Sequence, residues 1–219
     1  MKYKLTNETK EFLGRTLHRI VCVTAFANVA AGELGGWIES EKNLDQSGNA
    51  WVSDNAQVYD NARVSGNAQV YDNAQVYDNA WVYDNAQVYD NAWVSGNALV
   101  YDNAQVSGNA LVSGDAQVSG NAWVYGKAWV SCNAQVSGNA RVKKTADYIM
   151  FKNNWSSGRY FTYTLSNKMW KVGCFYGTGE ALIKKAYSDS ELSGKCYEAA
   201  VKYVEALEKI QAEVNGAVI

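Results

Sequence analysis

Hydrophobic and polar positions recur along the middle of the chain with a period of six residues. From Ser47 to Val142, sixteen consecutive hexads read as Ser-Gly or Tyr-Asp followed by Asn-Ala-x-Val, with few substitutions and no insertion. Within each hexad Ala and Val flank one variable residue, and this alternation predicts a short strand whose Ala and Val point to one side. The other three residues are turn formers that tolerate left-handed backbone angles. Each hexad therefore predicts one strand followed by one corner.

Three hexads close a triangular coil of eighteen residues, and successive coils pair their strands in parallel about 4.8 Å apart. The inward columns of Val and Ala predict a narrow, solid interior that binds nothing. Backbone hydrogen bonds between coils and ladders of Asn at the corners are expected to add to the stability that burial supplies. We therefore predict a mainly β fold with a parallel β-helix of about five coils at its centre.

The flanking segments lack the hexad and predict two further domains. Residues 1–46, with the alternating stretch LHRIVCV, are expected to cap the first coil, because an exposed parallel edge would pair with other molecules. Residues 143–219 predict a small α+β domain of three strands and two helices. The second helix has one apolar face, which we expect to pack on the sheet; a homodimeric coiled coil is the alternative. The predicted strands and helices span 147–152, 159–165, 168–175, 178–188 and 191–213.

The composition limits the classes of partner. Lys and Arg number 20 against 22 Asp and Glu, a net charge of -2, so no general basic field attracts nucleic acid or an anionic membrane. The chain has no apolar run of about 18 residues and no leader-like start, so we expect a cytoplasmic protein of a bacterial or infected bacterial cell. Four well-separated cysteines and one His predict reduced thiols and no bound metal or other cofactor.

The phrase V-Y-D-N-A-Q resembles the hexapeptide repeat of left-handed parallel β-helices, a family that includes many acyltransferases. This resemblance covers residues 47–142 and implies a left-handed coil. The stretch VTAFANVAAGELGGWIES resembles the N-terminal segment of YdcK-like hexapeptide proteins. The C-terminal tail resembles one seen on uncharacterised phage and mobile-element proteins with N-A-x-V arrays, and so implies a phage or mobile-element accessory protein.

Candidate catalytic residues are few. In the acyltransferase branch of the hexapeptide family, a His that projects from a coil typically acts as general base toward the acceptor. The array contains no His, and we interpret His18, which precedes it, as a cap residue. Cys174 lies in the stretch GCFYGTGE, which lacks both the P-loop and the dinucleotide-binding spacing. We therefore predict a binding or scaffold protein that is not an enzyme and has no catalytic residue; a hexapeptide-family acyltransferase is the alternative.

Large apolar residues at outward positions cluster on two adjacent faces of the predicted coil. Exposed aromatic clusters often mark interfaces, although strand propensity and cover by the flanking domains would also explain them. Trimer packing is common in the resembled family, so we expect a homo-oligomer, a dimer or trimer, with a host protein as a further partner. The predicted interface residues are Trp93, Leu111 and Trp129 on one face and Trp81 and Leu99 on the next.

Aspartates at the corners form a second set of columns, which we expect to be solvated turn residues. Between Ser47 and Val142 eight Asp oppose three basic residues, a net charge of minus five. Spread over about 25 Å, this is about a third of the charge density of duplex DNA. An acidic DNA mimic that inhibits a nucleic-acid enzyme is therefore a further alternative, and direct binding of nucleic acid is not expected. The acidic columns are Asp54, Asp72 and Asp90; Asp60 and Asp78; and Asp84 and Asp102.

Overall fold

A computed structural model describes residues 1–216 of the chain and divides the protein into two compact units. The first unit, Met1–Asp147, begins with three longer strands, β1 (Tyr3–Phe12), β2 (Arg15–Cys22) and β3 (Leu34–Ile38). Sixteen two-residue strands, β4 to β19, then follow in chain order: Trp51–Val52, Gln57–Val58, Arg63–Val64, Gln69–Val70, Gln75–Val76, Trp81–Val82, Gln87–Val88, Trp93–Val94, Leu99–Val100, Gln105–Val106, Leu111–Val112, Gln117–Val118, Trp123–Val124, Trp129–Val130, Gln135–Val136 and Arg141–Val142. Short 3-10 turns occupy Glu41–Asn43 and Thr145–Asp147.

The short strands stack in parallel on the three sides of a β-solenoid. We call the sheet with β3, β5, β8, β11, β14 and β17 the first face, the sheet with β6, β9, β12, β15 and β18 the second face, and the sheet with β4, β7, β10, β13, β16 and β19 the third face. Each strand pairs with the strands eighteen residues before and after it; Val94, for example, lies between Val76 and Val112. Every Val and Ala of the hexads is at most 1% exposed. The prediction of a parallel, solid-cored coil is confirmed.

The solenoid has about six turns because residues before the first hexad add to it. In β3, Trp37 pairs with Gln57 and Ile38 pairs with Val58 in parallel, and Leu44 forms a parallel bridge to Val64. In this turn Gly36 takes the place of the usual Ala, since a Cβ there would come within 2.8 Å of the Ala56 carbonyl. The hexad pattern misses the turn because its sequence, Gly-Trp-Ile, lacks the Asn-Ala-x-Val phrase.

The corners are held by left-handed residues whose side chains bond to the next coil. At the second corner position φ lies between 54° and 59° for Asp and between 65° and 70° for Gly. Several of the Asp carboxylates accept the N–H of the residue one coil further: Asp90 accepts from Gly108 at 2.9 Å, and Asp102 accepts from Gly120 at 2.9 Å. The acidic columns therefore connect successive coils.

Asparagine ladders run beside the acidic columns. The side-chain amide of Asn61 donates to Asn79 at 3.2 Å, Asn79 donates to Asn97 at 3.3 Å, and Asn97 donates to the Asp115 carboxylate at 2.9 Å. These bonds are the predicted ladders. Since each amide can both donate and accept, one residue type extends the chain of bonds from coil to coil.

The N-terminal hairpin of β1 and β2 extends the sheet of the first face in antiparallel pairing. Two buried residues attach it to the first turn. The Tyr3 hydroxyl donates to the Leu44 carbonyl at 2.6 Å, and Lys2 Nζ donates to the Ala50 carbonyl at 2.9 Å. Burial lowers the pKa of the Lys2 ammonium to about 8, because removal from water disfavours the charged form.

The second unit, from Tyr148 onward, is an antiparallel sheet with two helices. Its strands β20 (Tyr148–Lys152), β21 (Tyr160–Thr164), β22 (Met169–Val172) and β23 (Phe175–Gly177) pair in that order, and α1 (Gly179–Asp189) and α2 (Glu191–Gly216) follow. The predicted single strand 168–175 is instead two strands, because Gly173, with φ 57°, turns the chain. Neither helix offers an apolar stretch that would cross a bilayer within the described residues.

The core of this unit lies between the sheet and the helices. The strand residues Phe161 and Trp170 and the helix residues Leu182 and Val201 are buried in one cluster, and the Thr178 hydroxyl caps α1 by accepting from the Ala181 N–H. Helix α2 therefore packs on the sheet, as expected, but it does so through Tyr197, Val201 and Val204. The apolar spacing that predicted a packing face, Leu192, Cys196, Ala199, Tyr203, Leu207 and Ile210, is wrong for that face, since Leu192, Tyr203 and Ile210 are more than half exposed.

Substitution of Asp90 tests the role of the corner carboxylates. Asp90→Ala should lower the free energy of unfolding by about 1 to 2 kcal/mol, because Ala resists the left-handed backbone and leaves the Gly108 N–H without its acceptor. Asp90→Gly should lose less, since Gly adopts this backbone freely. Urea unfolding followed by circular dichroism measures both; equal stability of Asp90→Ala and the unchanged protein would contradict the assignment.

Tyr71 provides a test at high pH. Its ring stacks on Tyr89 at 5.0 Å, and burial, followed by the neighbouring Tyr89, raises its pKa to about 12. The folded state therefore keeps this proton as pH rises above about 10, where the unfolded chain loses it. Stability should consequently fall between pH 10 and 12, and less so in Tyr71→Phe. Urea midpoints of the two proteins at pH 9 and pH 11 compare the slopes; parallel slopes would show that Tyr71 is not responsible.

Candidate functional site on the outer faces of the solenoid

The predicted interface residues lie in two columns on the outside of the solenoid. On the first face Trp93 pairs with Leu111, which pairs with Trp129 in the next coil. On the second face Trp81 pairs with Leu99. Trp81, Trp93 and Trp129 are 40%, 43% and 53% exposed, and the two leucines are half-buried. The structure thus brings the five residues together as two groups, and their role as an interface stays a prediction.

Local packing accounts for Trp81. Its indole N–H donates to the Ser65 hydroxyl of the preceding coil at 3.0 Å, and its ring lies 4.6 Å from Tyr83. Tyr83 in turn stacks on Tyr101 at 5.1 Å, with ring planes 5° apart. Trp81 therefore covers the end of a tyrosine stack where a Ser interrupts the column. The same arrangement recurs on the third face, where Trp123 donates to a Ser hydroxyl and stacks on the Tyr two residues later.

Trp129 occupies a different setting. Its indole N–H also donates to a Ser of the preceding coil, Ser113, at 3.0 Å. The residue two positions later is Ser131, whereas Trp81 and Trp123 are followed by a Tyr at that position. Trp93 is likewise followed by a Ser, and the corners before Trp93 and Trp129 carry the charged residues Asp90 and Lys127. Trp93, Leu111 and Trp129 form a column of uncharged, partly exposed side chains on this face, which we call the first-face strip.

The N-terminal end of the same face carries an aromatic cluster that the hexad pattern did not predict. Trp37 and Tyr59 are buried with Leu17, and Tyr59 stacks on Tyr77 at 5.2 Å. The Lys10 ammonium lies 4.5 Å from the Trp37 ring centre, so a cation covers the indole. Because Trp37 precedes the first hexad, its neighbours come from the pairing of β2 and β3, which the repeat does not reveal.

The aspartates of the acidic columns bond to the coil, although most of them are exposed. Besides their bonds to backbone N–H groups, one of them contacts the hairpin: Arg15 Nε donates to Asp60 Oδ1 at 2.7 Å, and the Asp60 N–H donates to Glu39 at 2.7 Å. These contacts give the aspartates a structural role. The DNA-mimic alternative stays untested.

His18 lies on β2, where it pairs with Thr9 of β1 and with Ile38 of β3. On the same hairpin Glu11 pairs with Thr16, whose hydroxyl donates to the Glu11 carboxylate at 2.6 Å. Directly paired residues share a face, as do residues two apart along a strand. The half-buried imidazole of His18 therefore shares a face of the hairpin with a carboxylate diagonally opposite it. The strand register therefore relates these two side chains, and imidazole is a side chain that can transfer protons.

The repeat is similar to a defined family of solenoids. The profile described as the YdcK beta solenoid repeat matches eight segments of the chain. These segments are residues 56–72, 68–84, 74–90, 86–102, 92–108, 104–120, 116–131 and 134–143.

A curated relative comes from Escherichia coli (strain K12) and bears the name "Uncharacterized acetyltransferase YdcK". It is 34% identical over 65 residues, which is 26% of this chain and 20% of that protein. The chain thus covers a fifth of the relative's length.

This relationship corrects the prediction that the chain is not an enzyme. That prediction rested on the absence of His from the hexads, but the relative that shares the repeat is named as an acetyltransferase. A repeat without a catalytic imidazole therefore does not exclude catalysis, because the groups that react can come from outside the repeat. The segment from residue 56 to residue 143 is a YdcK-like β-solenoid repeat.

Proposed function

We propose that the chain takes part in acyl transfer from a thioester donor such as acetyl-CoA. The observation that carries this proposal is the similarity of its solenoid to a protein named as an acetyltransferase. Since the match covers 20% of that protein, the acceptor does not follow from it. The solid interior adds a constraint, because donor and acceptor have to meet outside the interior of the coils.

His18 is the residue that we assign to proton transfer. It is the single His of the sequence, and near-neutral imidazole is the usual general base for a hydroxyl or amine acceptor. In the reaction the acceptor loses a proton to the imidazole while its oxygen or nitrogen attacks the thioester carbonyl. The carbon–sulfur bond then breaks, and the CoA thiolate takes up a proton. Glu11, on the same face of the hairpin, would orient the imidazole.

Substitution of His18 tests this assignment. His18→Gln should slow the release of CoA from acetyl-CoA by about 10²- to 10⁴-fold, the usual contribution of a general base. Binding of acetyl-CoA, measured by calorimetry, should persist, because the substitution leaves the solenoid intact. The assay supplies a panel of hydroxyl and amine acceptors and records free thiol. Glu8→Gln, an exposed change on β1, is the matched control. A protein that binds no acetyl-CoA would contradict acyl transfer itself.

We also propose that the first-face strip mediates self-association. The observation that favours it is that Trp93, Leu111 and Trp129 form one column on the first face and that the two indoles are 43% and 53% exposed. Clusters of exposed aromatic residues are typical of interfaces. A host protein as partner and a phage or mobile-element setting stay predictions from the sequence.

The double substitution Trp93→Ser and Trp129→Ser tests the strip. We expect a lower molecular mass by light scattering and an unchanged circular dichroism spectrum, since both indoles lie on the outside of the solenoid. Trp81→Ser is the control: it removes the cover of the Tyr83 and Tyr101 stack and should leave the mass unaltered. If the double variant keeps the mass of the original protein, the strip is not the contact.

A further inference from the structure

The second unit contains a cavity of about 530 Å³ that is lined by residues of β21, β22 and both helices. Tyr163 and Trp170 from the strands and Val204 from α2 lie on its wall and are at most 4% exposed. The two rings lie 4.9 Å apart, with their planes tilted by 45°. Small-molecule sites typically measure about 300 to 1,000 Å³ and are mainly apolar, with a few polar groups that orient the ligand. The size of the cavity and this apolar wall match such a site.

Hydrogen-bond donors without acceptors meet where α1 begins. Trp170 is 2% exposed, and among the residues that the structure describes its indole N–H has no acceptor. A Cβ on Gly179 would lie 3.3 Å from Trp170 Nε1, so this nitrogen lies beside the first residue of the helix. The Thr178 hydroxyl accepts the N–H of Ala181 at 3.3 Å. The N–H groups of Gly179 and Glu180 have no acceptor in the described part of the chain. These N–H groups and the positive end of the helix dipole suit a carboxylate.

Two carboxylates of α2, those of Glu205 and Glu208, line the same cavity. The Tyr163 hydroxyl donates to the Glu208 carboxylate, and burial, this bond and the charges of both glutamates raise the pKa of Tyr163. Both carboxylates therefore lie near the buried phenol. Within the described residues, no lysine or arginine lies at ion-pairing distance from either of them. The pair thus offers the cavity negative charge for a cation.

Glu205 lies one helical turn from the donors. The Cβ placed on Gly179 would also lie 2.8 Å from Val201, which puts the donors level with Val201 on α2. Glu205 follows four residues later, on the same face and about 6 Å further along the helix axis. With hydrogen bonds of about 3 Å at each end, this separation suits a carboxylate and an ammonium that are carried by one carbon atom.

We propose that this cavity binds an α-amino acid with an apolar side chain. The N–H groups of Trp170 and Gly179 hold its carboxylate, and Glu205 holds its ammonium. Its side chain packs on the apolar wall. A zwitterion satisfies both groups, whereas an anion alone would face the glutamates and a cation alone would face the positive end of the helix. Charged residues of both signs complete the lining: Lys168, Glu180 and Lys209. The site lies within the second unit and goes beyond the acyl-transfer proposal.

The indole N–H of Trp170 reports directly on binding. The chain has 8 Trp, and NMR of the protein labelled with ¹⁵N separates their indole signals. The signal that is missing from Trp170→Phe belongs to Trp170. L-Leucine should shift this signal in a saturable manner, because its carboxylate accepts the proton, and should leave the other indole signals in place. L-Alanine and L-phenylalanine in parallel arms show which size of side chain fits the wall.

Matched probes and variants test the two charges, with dissociation constants from calorimetry. 3-Methylbutan-1-amine is leucine without its carboxylate, and 4-methylpentanoate is leucine without its ammonium. Each should bind about tenfold more weakly than leucine, the effect of one hydrogen bond to a charged group. Glu205→Gln should weaken leucine by about the same factor and should not weaken 4-methylpentanoate. Glu191→Gln, at the start of α2 and outside the cavity, should behave like the original protein.

The proposal is overturned if none of the three amino acids shifts the Trp170 signal. Equal affinity for leucine and 3-methylbutan-1-amine would show that the N–H groups hold no carboxylate. Equal affinity for leucine and 4-methylpentanoate would remove the role of Glu205. If Trp170→Phe does not fold, the Trp170 signal is assigned through its contact with the Gly179 protons, and the calorimetry of the unchanged protein decides the question.

Discussion

Backbone hydrogen bonding between successive coils is the constraint on which the first unit depends. Each coil donates and accepts along its three short strands, as in Trp93 N–H to the Ala110 carbonyl at 2.9 Å. Such a ladder requires equal coil lengths, since one extra residue would turn inward Val to the outside. The corners meet this requirement with left-handed Asp or Gly, and the ladders of Asn and Asp repeat the same register outside the backbone. Uniform hexads satisfy this requirement, because three of them always give a coil of the same length.

The same register separates structural side chains from those available for function. Because equivalent residues lie directly above one another, tyrosines at corners stack, and a Trp covers the end of a stack where Ser interrupts it. Trp81 belongs to this packing, and Trp123 likewise stacks on the Tyr that follows it, Tyr125, whose neighbours in the column are Ser107 and Lys143. Trp93 and Trp129 have a Ser, not a Tyr, at the corner that follows them. The exposure of a Trp on this solenoid is therefore best judged together with the residue at the next corner.

Some parts of this fold can be predicted from the sequence and others cannot. The hexads predict strand, corner and core, because each feature depends on residues within six positions. The turn at Gly36 was not predicted, because its register comes from pairing with Ala56 and Gln57 and its sequence lacks the Asn-Ala-x-Val phrase. The division of the predicted strand 168–175 into β22 and β23 was not predicted, because it depends on a single left-handed residue, Gly173, within a run of strand-forming residues. The placement of Glu11 across from His18 depends on hairpin pairing, which is visible only in the folded chain.

The prediction about catalysis was wrong for a related reason. It looked for an imidazole on the coils, where a repeat makes every position explicit. In a regular repeat, equivalent residues of successive coils have nearly the same surroundings. Few residues therefore have an environment of their own. Chemistry that needs one base, one cation or one cavity is therefore easier to build where the repeat ends. In this chain the residue that we propose for proton transfer, His18, lies on the hairpin, outside the repeat.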